Sequence, residues 1–319
     1  MGINRRDFIK KSLLMGAGAI LGSKKGFAKE TLQVSSKEFW HLPSPDYSNV
    51  NHEEIKWKNI SKGLEFSRTK VFRENELVDV IATLKINPEL NKIKVFNGYD
   101  ESSGKVAGGT IEAWRNATGA IAMINSAQYM ANPYYRPCAL VICDRKQKGP
   151  KQNKSVRGML VAEPKKSLVG KIKRADLLDF KYDKFDYKTP QYLEGVQHWP
   201  ILLNREGKIK VKESLWQANR TVVAKTNEDE ILFMTTEGGY FTLHNFGRFL
   251  RDSNQERGKG FNVNTAMNMD GGYEANMVIK SPNLSYVTYG EFETYGLGKD
   301  ATVFGRKIEI PGVIGVFPR

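Results

Sequence analysis

Asp270 closes the apolar run Thr265–Met269, and two glycines, Gly271 and Gly272, follow it at once. A carboxylate at the end of a buried strand can serve as a base or a nucleophile. Removing two side chains beside it opens the backbone to a ligand. The same residues also spell a hairpin, because Asp-Gly is a strong two-residue turn signal. Two further polar residues interrupt apolar strands in the same way: Asn125 ends "AIAMIN" and Arg220 precedes "TVVAKT". Each of the three, taken singly, reads as a turn former or a cap. Taken together they are candidates for one site.

The elements that would position them are mostly strands. From Gly63 onward, β-branched and alternating segments such as "SRTKVFRE", "LVDVIATLKI" and "NKIKVFN" are separated by turn signals, Asn87-Pro88 among them. "AIAMINSAQY" and "CALVIC" are apolar on both faces and read as central strands. "RTVVAKTNEDEILFMTTEGG" predicts a hairpin around Asn227 to Asp229. "KIKRADLLDF" reads as a helix start, and a short helix is expected around Ile111 to Asn116. The strongest helix is "TLHNFGRFLRDSN", with Thr242 as its cap and Phe246, Phe249 and Leu250 on one face. Strands first and helices inserted late predict a single α+β domain. No internal repeat is present.

The first 28 residues read as an address. Arg5-Arg6 followed by Asp7, Phe8, Ile9 and Lys10 is a twin-arginine pattern, and a mild apolar segment follows from Ser12 to Gly22. That segment is shorter than the roughly 20 apolar residues of a spanning helix. Lys24, Lys25 and the small-x-small site Gly26-Phe27-Ala28 predict cleavage before Lys29. The expected partner during export is the twin-arginine translocase. The mature chain is expected to be periplasmic or secreted, with no transmembrane segment. Residues 29–62 read as an N-terminal arm and 63–319 as the catalytic domain.

Folded export raises the question of a cofactor. The chain has four His (His41, His52, His198 and His244) and two Cys, with no C-x-x-C and no His pair at ligand spacing. Cys138 and Cys143 lie five apart in an alternating segment, so their thiols face opposite ways and both read as small core residues. No cofactor is expected. Asp270, Asn268 and Glu274 are oxygen donors of the kind that suits calcium, without the dense ligand spacing of a dedicated calcium loop.

The net charge is +14, and loss of the signal removes six basic residues and one acid, leaving +9. From Arg145 to Arg174 eleven Lys or Arg meet a single acid, Glu163. Such a run is either a solvated face or a patch for an anionic partner such as a phosphate-bearing glycan. Nucleic acid is excluded as a partner for an exported chain with no nucleic-acid-binding motif.

The order of these motifs resembles the phosphodiester glycosidase domain family. "AMINSAQYMANPYYRPCALVI" is similar to the family's Asn-Gly/Ala-x-Tyr/Phe segment, and "QHWPILLNREGKI" to its Pro-x-Leu-x-x-x-Gly signature. "NRTVVAKTNEDEILFMTTEGG" resembles the Arg-Thr strand and hairpin, "YFTLHNFGRFLRD" the Thr-Leu helix, and "TAMNMDGG" the Asn-Leu-Asp-Gly-Gly strand end. The resemblance runs from about Gly63 to Lys280. It implies a mixed β-sheet flanked by helices, a site at the sheet's edge, and hydrolysis of a sugar-1-phosphodiester. A departing phosphate is a weakly basic anion, so a cation to hold it matters more than an acid to protonate it. On that reading Arg220 grips the phosphate and Asp270 acts at the anomeric carbon. Gly271 and Gly272 would admit the sugar, Asn125 would hold a hydroxyl or amide, and Trp199 would offer a ring face. Thr221 and Asn268 come with the motifs that carry Arg220 and Asp270.

The chain also departs from the family. Tyr273, Glu274 and Ala275 stand where many members have a small residue and Ser-Ser, and Ser126 replaces the usual Gly. Glu274 adds a second carboxyl, as catalytic partner or as a solvated strand residue. Glu237, in "TTEGG", lies in a loop able to reach the site. The alternative is a non-catalytic binding or assembly protein for phosphorylated glycans, gripping its ligand through Arg220 and the basic stretch.

Overall fold

The fold was obtained as a computed structural model that describes residues 31–33, 47–99, 107–130, 135–254, 260–295, 300–303 and 307–319. The twin-arginine segment, residues 1–28, lies outside the described residues.

Three antiparallel layers carry most of the chain. An eight-stranded sheet runs in the order Ile201–Leu203, Val263–Asn268, Thr221–Thr226, Ile231–Thr236, Glu76–Ile86, Leu64–Arg73 and Val50–His52, with Lys58–Ser61 pairing Leu64–Arg73 as well. A six-stranded sheet runs Thr31–Gln33, Ser285–Thr288, Met277–Lys280, Ala122–Asn125, Gly312–Pro318 and Asn91–Asn97. Its first pair is parallel and the rest are antiparallel. A five-stranded sheet runs Ala175–Asp179, Gly158–Pro164, Tyr192–His198, Val141–Cys143 and Lys146–Lys148. Part of the expected N-terminal arm is instead strand, Val50–His52 and Lys58–Ser61, woven into the largest sheet.

The three sheets share one core. Phe66, Leu84 and Phe233 from the first sheet meet Val95, Ile124 and Ile314 from the second and Val141, Leu160 and Val196 from the third, all buried. Around this core sheet covers sheet, while the outer face of the eight-stranded sheet packs on Phe246, Phe249 and Leu250 and that of the six-stranded sheet on Ile111. Each fully buried Val, Leu, Ile or Phe contributes roughly 1.5–3 kcal/mol by leaving water.

The expected α+β class, a mixed sheet flanked by helices, is therefore overturned. Among the described residues strand accounts for 46% and helix, short 3-10 turns included, for 10%, with two α-helices. One is Ile111–Thr118, capped by Thr110, and the other is Leu243–Ser253, where Thr242 accepts from the Asn245 amide at 3.1 Å. The physical reason is connectivity. Antiparallel neighbours need only hairpins, whereas a flanking helical layer needs long crossovers between parallel strands. The segment read as a helix start, "KIKRADLLDF", shows the error locally. Ala175–Asp179 alternates buried and half-buried side chains and pairs residue by residue with Gly158–Ala162.

The basic stretch is distributed rather than gathered. Lys146 and Lys148 sit on an edge strand, where charge discourages edge-to-edge pairing. Arg157 is 2.9 Å from the buried Asp179 carboxylate, Arg174 pairs with Glu89, and Lys173 pairs with Asp229. Cys138 and Cys143 are both unbridged.

Candidate active site

Strand ends from all three sheets meet at Asp270. Asn125 is the last residue of its strand in the six-stranded sheet, and its side-chain amide donates to the Asp270 carbonyl at 2.7 Å. Its oxygen accepts from the Thr221 hydroxyl at 2.7 Å and from the Asn276 amide at 3.1 Å. Asn125 and Thr221 are both buried, and this pair ties two sheets to the Asp270 turn. The backbone repeats the tie: Met269 donates to the Thr221 carbonyl at 2.8 Å, and Asp270 to the Ser126 carbonyl at 3.4 Å.

Arg220 enters from the start of the neighbouring strand. Its Nε donates to the Phe241 carbonyl at 3.1 Å and its Nη2 to the Trp216 carbonyl at 2.6 Å. Two fixed acceptors hold the planar fork in one orientation and leave Nη1 toward the Asp270 turn. A Cβ on Gly271 would stand 3.6 Å from that Nη1 and 3.0 Å from the Asn219 carbonyl. Burial pulls the guanidinium down to about 10, with Glu293 pushing it back up. The group therefore stays charged at neutral pH.

The two glycines are required for different reasons. Gly271 has an extended backbone, φ −123°, and a Cβ there would crowd the Asn219 carbonyl at 3.0 Å, with the Arg220 guanidinium next to it. Gly272 has φ +67°, the left-handed region that disfavours a Cβ, and a Cβ there would lie 2.5 Å from the Glu293 carboxylate. At this turn the Asn219 carbonyl and the Arg220 guanidinium lie beside Gly271 and the Glu293 carboxylate beside Gly272. The Asp270 carboxylate accepts from the Gly271 amide at 3.1 Å, which aims it along the same turn.

Glu274 lies on the short 3-10 turn Gly272–Glu274 and accepts from the Tyr129 hydroxyl at 3.1 Å. Burial, then Glu274, then Asp270, raise the Tyr129 phenol well above its ordinary range. Tyr129 therefore stays protonated and donates to Glu274, within the field of Asp270.

Asn268 and Trp199 form the remaining wall. His198 stacks on Trp199 with ring centroids 5.0 Å apart, and Trp199 is 36% exposed. His198 Nδ1 lies 2.7 Å from the Asn268 carbonyl, so it must carry the proton and donate. Its Nε2 is then an acceptor, and burial pulls the ring down to about 4. His198 Nε2 and Asn268 Oδ1 are both buried with no hydrogen-bond partner among the described residues.

Glu237 stands apart from this group. Its carboxylate takes Arg68 Nε at 2.8 Å, Arg68 Nη2 at 2.7 Å and the Tyr286 hydroxyl at 2.6 Å. The loop expected to carry it toward the ligand is held elsewhere by Asp79, which accepts from the Gly238 and Tyr240 amides. Among the described residues no group of three or more His, Cys, Asp or Glu side chains is gathered closely enough to hold a metal ion.

Three residues of the site were not singled out in the sequence. Tyr129 lay in plain view four residues after Asn125. His198 was overshadowed by Trp199. Glu293 lies beyond the last motif and carried no signal, since its relation to Arg220 exists only in the folded chain.

Comparisons with known proteins bear on the family and the fold. The family model described as phosphodiester glycosidase matches residues 118–317. A search of the curated proteins finds no match. Among solved structures, the catalytic domain of zebrafish N-acetylglucosamine-1-phosphodiester alpha-N-acetylglucosaminidase, auto-inhibited by its pro-peptide, is similar with a TM-score of 0.52 and 14% identity, over 92% of this chain and 96% of that one. A hypothetical protein from Synechocystis is similar with a TM-score of 0.53 and 12% identity, and 84% of this chain spans 64% of that one. At such identities the solved structures show a shared fold. The family match includes both strand ends that carry Asn125 and Asp270, as well as the Arg220 strand between them, and this chain belongs to the phosphodiester glycosidase family.

Proposed function

We propose that the protein is an exported hydrolase that cleaves the bond between a sugar's anomeric carbon and a phosphodiester on an envelope glycan. The observation that carries this reading is the placing of Asp270 and Arg220 on either side of Gly271. A carboxylate and a fixed guanidinium that share one turn match the two ends of a glycosyl phosphate bond.

Arg220 holds the phosphate, and its preset fork stabilises the charge that grows there as the bond breaks. The electrons of the C1–O bond leave with the phosphate, which departs as a monoester and needs no proton at neutral pH. Water supplies the hydroxyl that ends on C1, and its proton passes to a carboxylate. Asp270 either attacks C1 itself or takes that proton from the water, and the anomeric configuration of the released sugar separates the two routes. Tyr129 keeps Glu274 in place as the second carboxyl. Trp199, fixed by its stack on His198, offers its exposed face to the sugar ring. The twin-arginine pattern at Arg5-Arg6 supports export to the periplasm or beyond.

The test uses purified mature protein with sugar-1-phosphate alkyl diesters, and follows sugar release by nuclear magnetic resonance. Wild type should release sugar and phosphomonoester, and Asp270→Asn should lose roughly 10²–10⁴-fold in rate while keeping its fold. Undiminished hydrolysis by Asp270→Asn sinks the assignment.

A further inference from the structure

Glu293 faces Arg220 across a short stretch of paired backbone. Ala218 forms an antiparallel bridge with Glu293, Asn219 donates to the Phe292 carbonyl at 3.0 Å, and Thr294 donates to the Gln217 carbonyl at 2.9 Å. In such a pairing the diagonal neighbour two residues along lies on the same face, within reach of a long side chain. Arg220 is that neighbour of Glu293. The Asn219 side chain also accepts from the Glu291 and Phe292 amides at 3.0 and 2.8 Å, so the two segments cannot slide apart. Glu293 is buried, 3% exposed, and its carboxylate abuts Gly272 while Arg220 abuts Gly271. Two opposite charges thus flank successive residues of the turn that carries Asp270.

We propose that Glu293 makes this site select the charge of the phosphate it binds, admitting the singly charged diester and repelling the doubly charged monoester. The inference rests on the reading of Arg220 as the phosphate-binding group. A phosphodiester carries one negative charge, and the monoester that hydrolysis releases carries close to two. Coulomb energy is proportional to the ligand's charge, so a fixed carboxylate opposes the monoester twice as strongly as the diester. Asp270 and Glu274 add to that field from the other side of the turn. The consequence is easy release of product and poor binding of phosphomonoesters and inorganic phosphate. Glu293 acts here as a specificity residue through its charge on Arg220.

The test is calorimetric titration of the full mature protein at pH 8, with inorganic phosphate as the dianion and dimethyl phosphate as the monoanion. If Glu293→Gln binds dimethyl phosphate about threefold more tightly than wild type, proportionality predicts roughly tenfold for inorganic phosphate. Glu293→Asp keeps the charge and should keep the wild-type ratio of the two affinities. Equal factors for the two ligands in a natively folded Glu293→Gln overturn the proposal, as does a shifted ratio in Glu293→Asp or failure of both ligands to bind any variant. Sugar-1-phosphodiester hydrolysis by wild type, together with an unshifted ratio in Glu293→Gln, sinks the charge selection alone. A shifted ratio in a protein that hydrolyses no diester sinks the catalytic reading and leaves the charge selection standing.

Discussion

The side-chain amide of Asn125 donates to the backbone carbonyl of Asp270 at 2.7 Å, joining residues 145 positions apart. With Thr221 and the Asn276 amide on its oxygen, Asn125 uses both ends of its amide to hold the turn that presents the carboxylate. An aspartate of the same shape would turn an acceptor toward the Asp270 carbonyl. Asn125→Asp is therefore expected to lower stability by roughly 2–4 kcal/mol, one lost bond plus two facing acceptors without water. Urea denaturation measures this, and a change below about 0.5 kcal/mol would show that the amide is not the tie.

The two glycines should respond differently to the same methyl group. Gly272→Ala meets both a left-handed backbone and the Glu293 carboxylate 2.5 Å away, so a loss of about 2 kcal/mol is expected together with a displaced Glu293. Gly271→Ala keeps an ordinary backbone and meets the Asn219 carbonyl at 3.0 Å and Arg220 at 3.6 Å. It should cost about 1 kcal/mol and act mainly on Arg220, raising KM for a phosphodiester more than it lowers kcat. Paired melting curves and kinetics check both, and equal effects at the two positions would contradict the division of space described for the turn.

Glu237 offers a prediction about stability alone. Its fully buried carboxylate holds Arg68 in a two-pronged pair and accepts from Tyr286, bridging the eight-stranded and six-stranded sheets. Removing Glu237 leaves Tyr286 without its acceptor and Arg68, 32% exposed, to turn toward water, so Glu237→Leu should cost roughly 1–3 kcal/mol. Adding Arg68→Met to it should recover most of that loss, because two apolar side chains then replace both charges. Denaturant titration of the two singles and the double gives the coupling directly, and purely additive losses would show that the pair is not a unit.

How much of this was legible in the sequence follows from which interactions are local. Asn125, Arg220 and Asp270 could be picked out because each interrupts a run of apolar strand residues, a pattern visible in one dimension. Thr242 as a helix cap was legible for the same reason, since a cap acts over three residues. The destination of a side chain's polar atoms is decided by partners far along the chain. That Asn125 ties the Asp270 turn to two strands, and that Glu237 bridges two sheets, could be seen only in the folded chain. The class was misread because short amphipathic segments such as Ala175–Asp179 carry helix-like composition. Their period-two burial appears only when Gly158–Pro164 is alongside.

His198 supplies a pH dependence whose sign can be worked out. Burial depresses its pKa to about 4 from an ordinary 6.5, so between these values the unfolded chain binds a proton that the folded chain does not. The stability from the neutral ring is fully present above pH 6.5 and is lost as pH falls through 4, to a total of about 3 kcal/mol. Asp79 and Glu194 act the other way. Burial raises each to about 7, so their contribution is present below pH 4 and lost as pH rises through 7. The stability curve of wild type alone mixes these slopes, and the difference between wild type and His198→Gln isolates one of them. The glutamine amide can still donate to the Asn268 carbonyl but does not titrate. The wild type should therefore lose stability relative to His198→Gln on going from pH 7 to pH 4, in parallel denaturant titrations. A pH-independent difference would mean that the ring takes up its proton equally in the folded and unfolded chains, so that burial beside Trp199 does not hold it neutral.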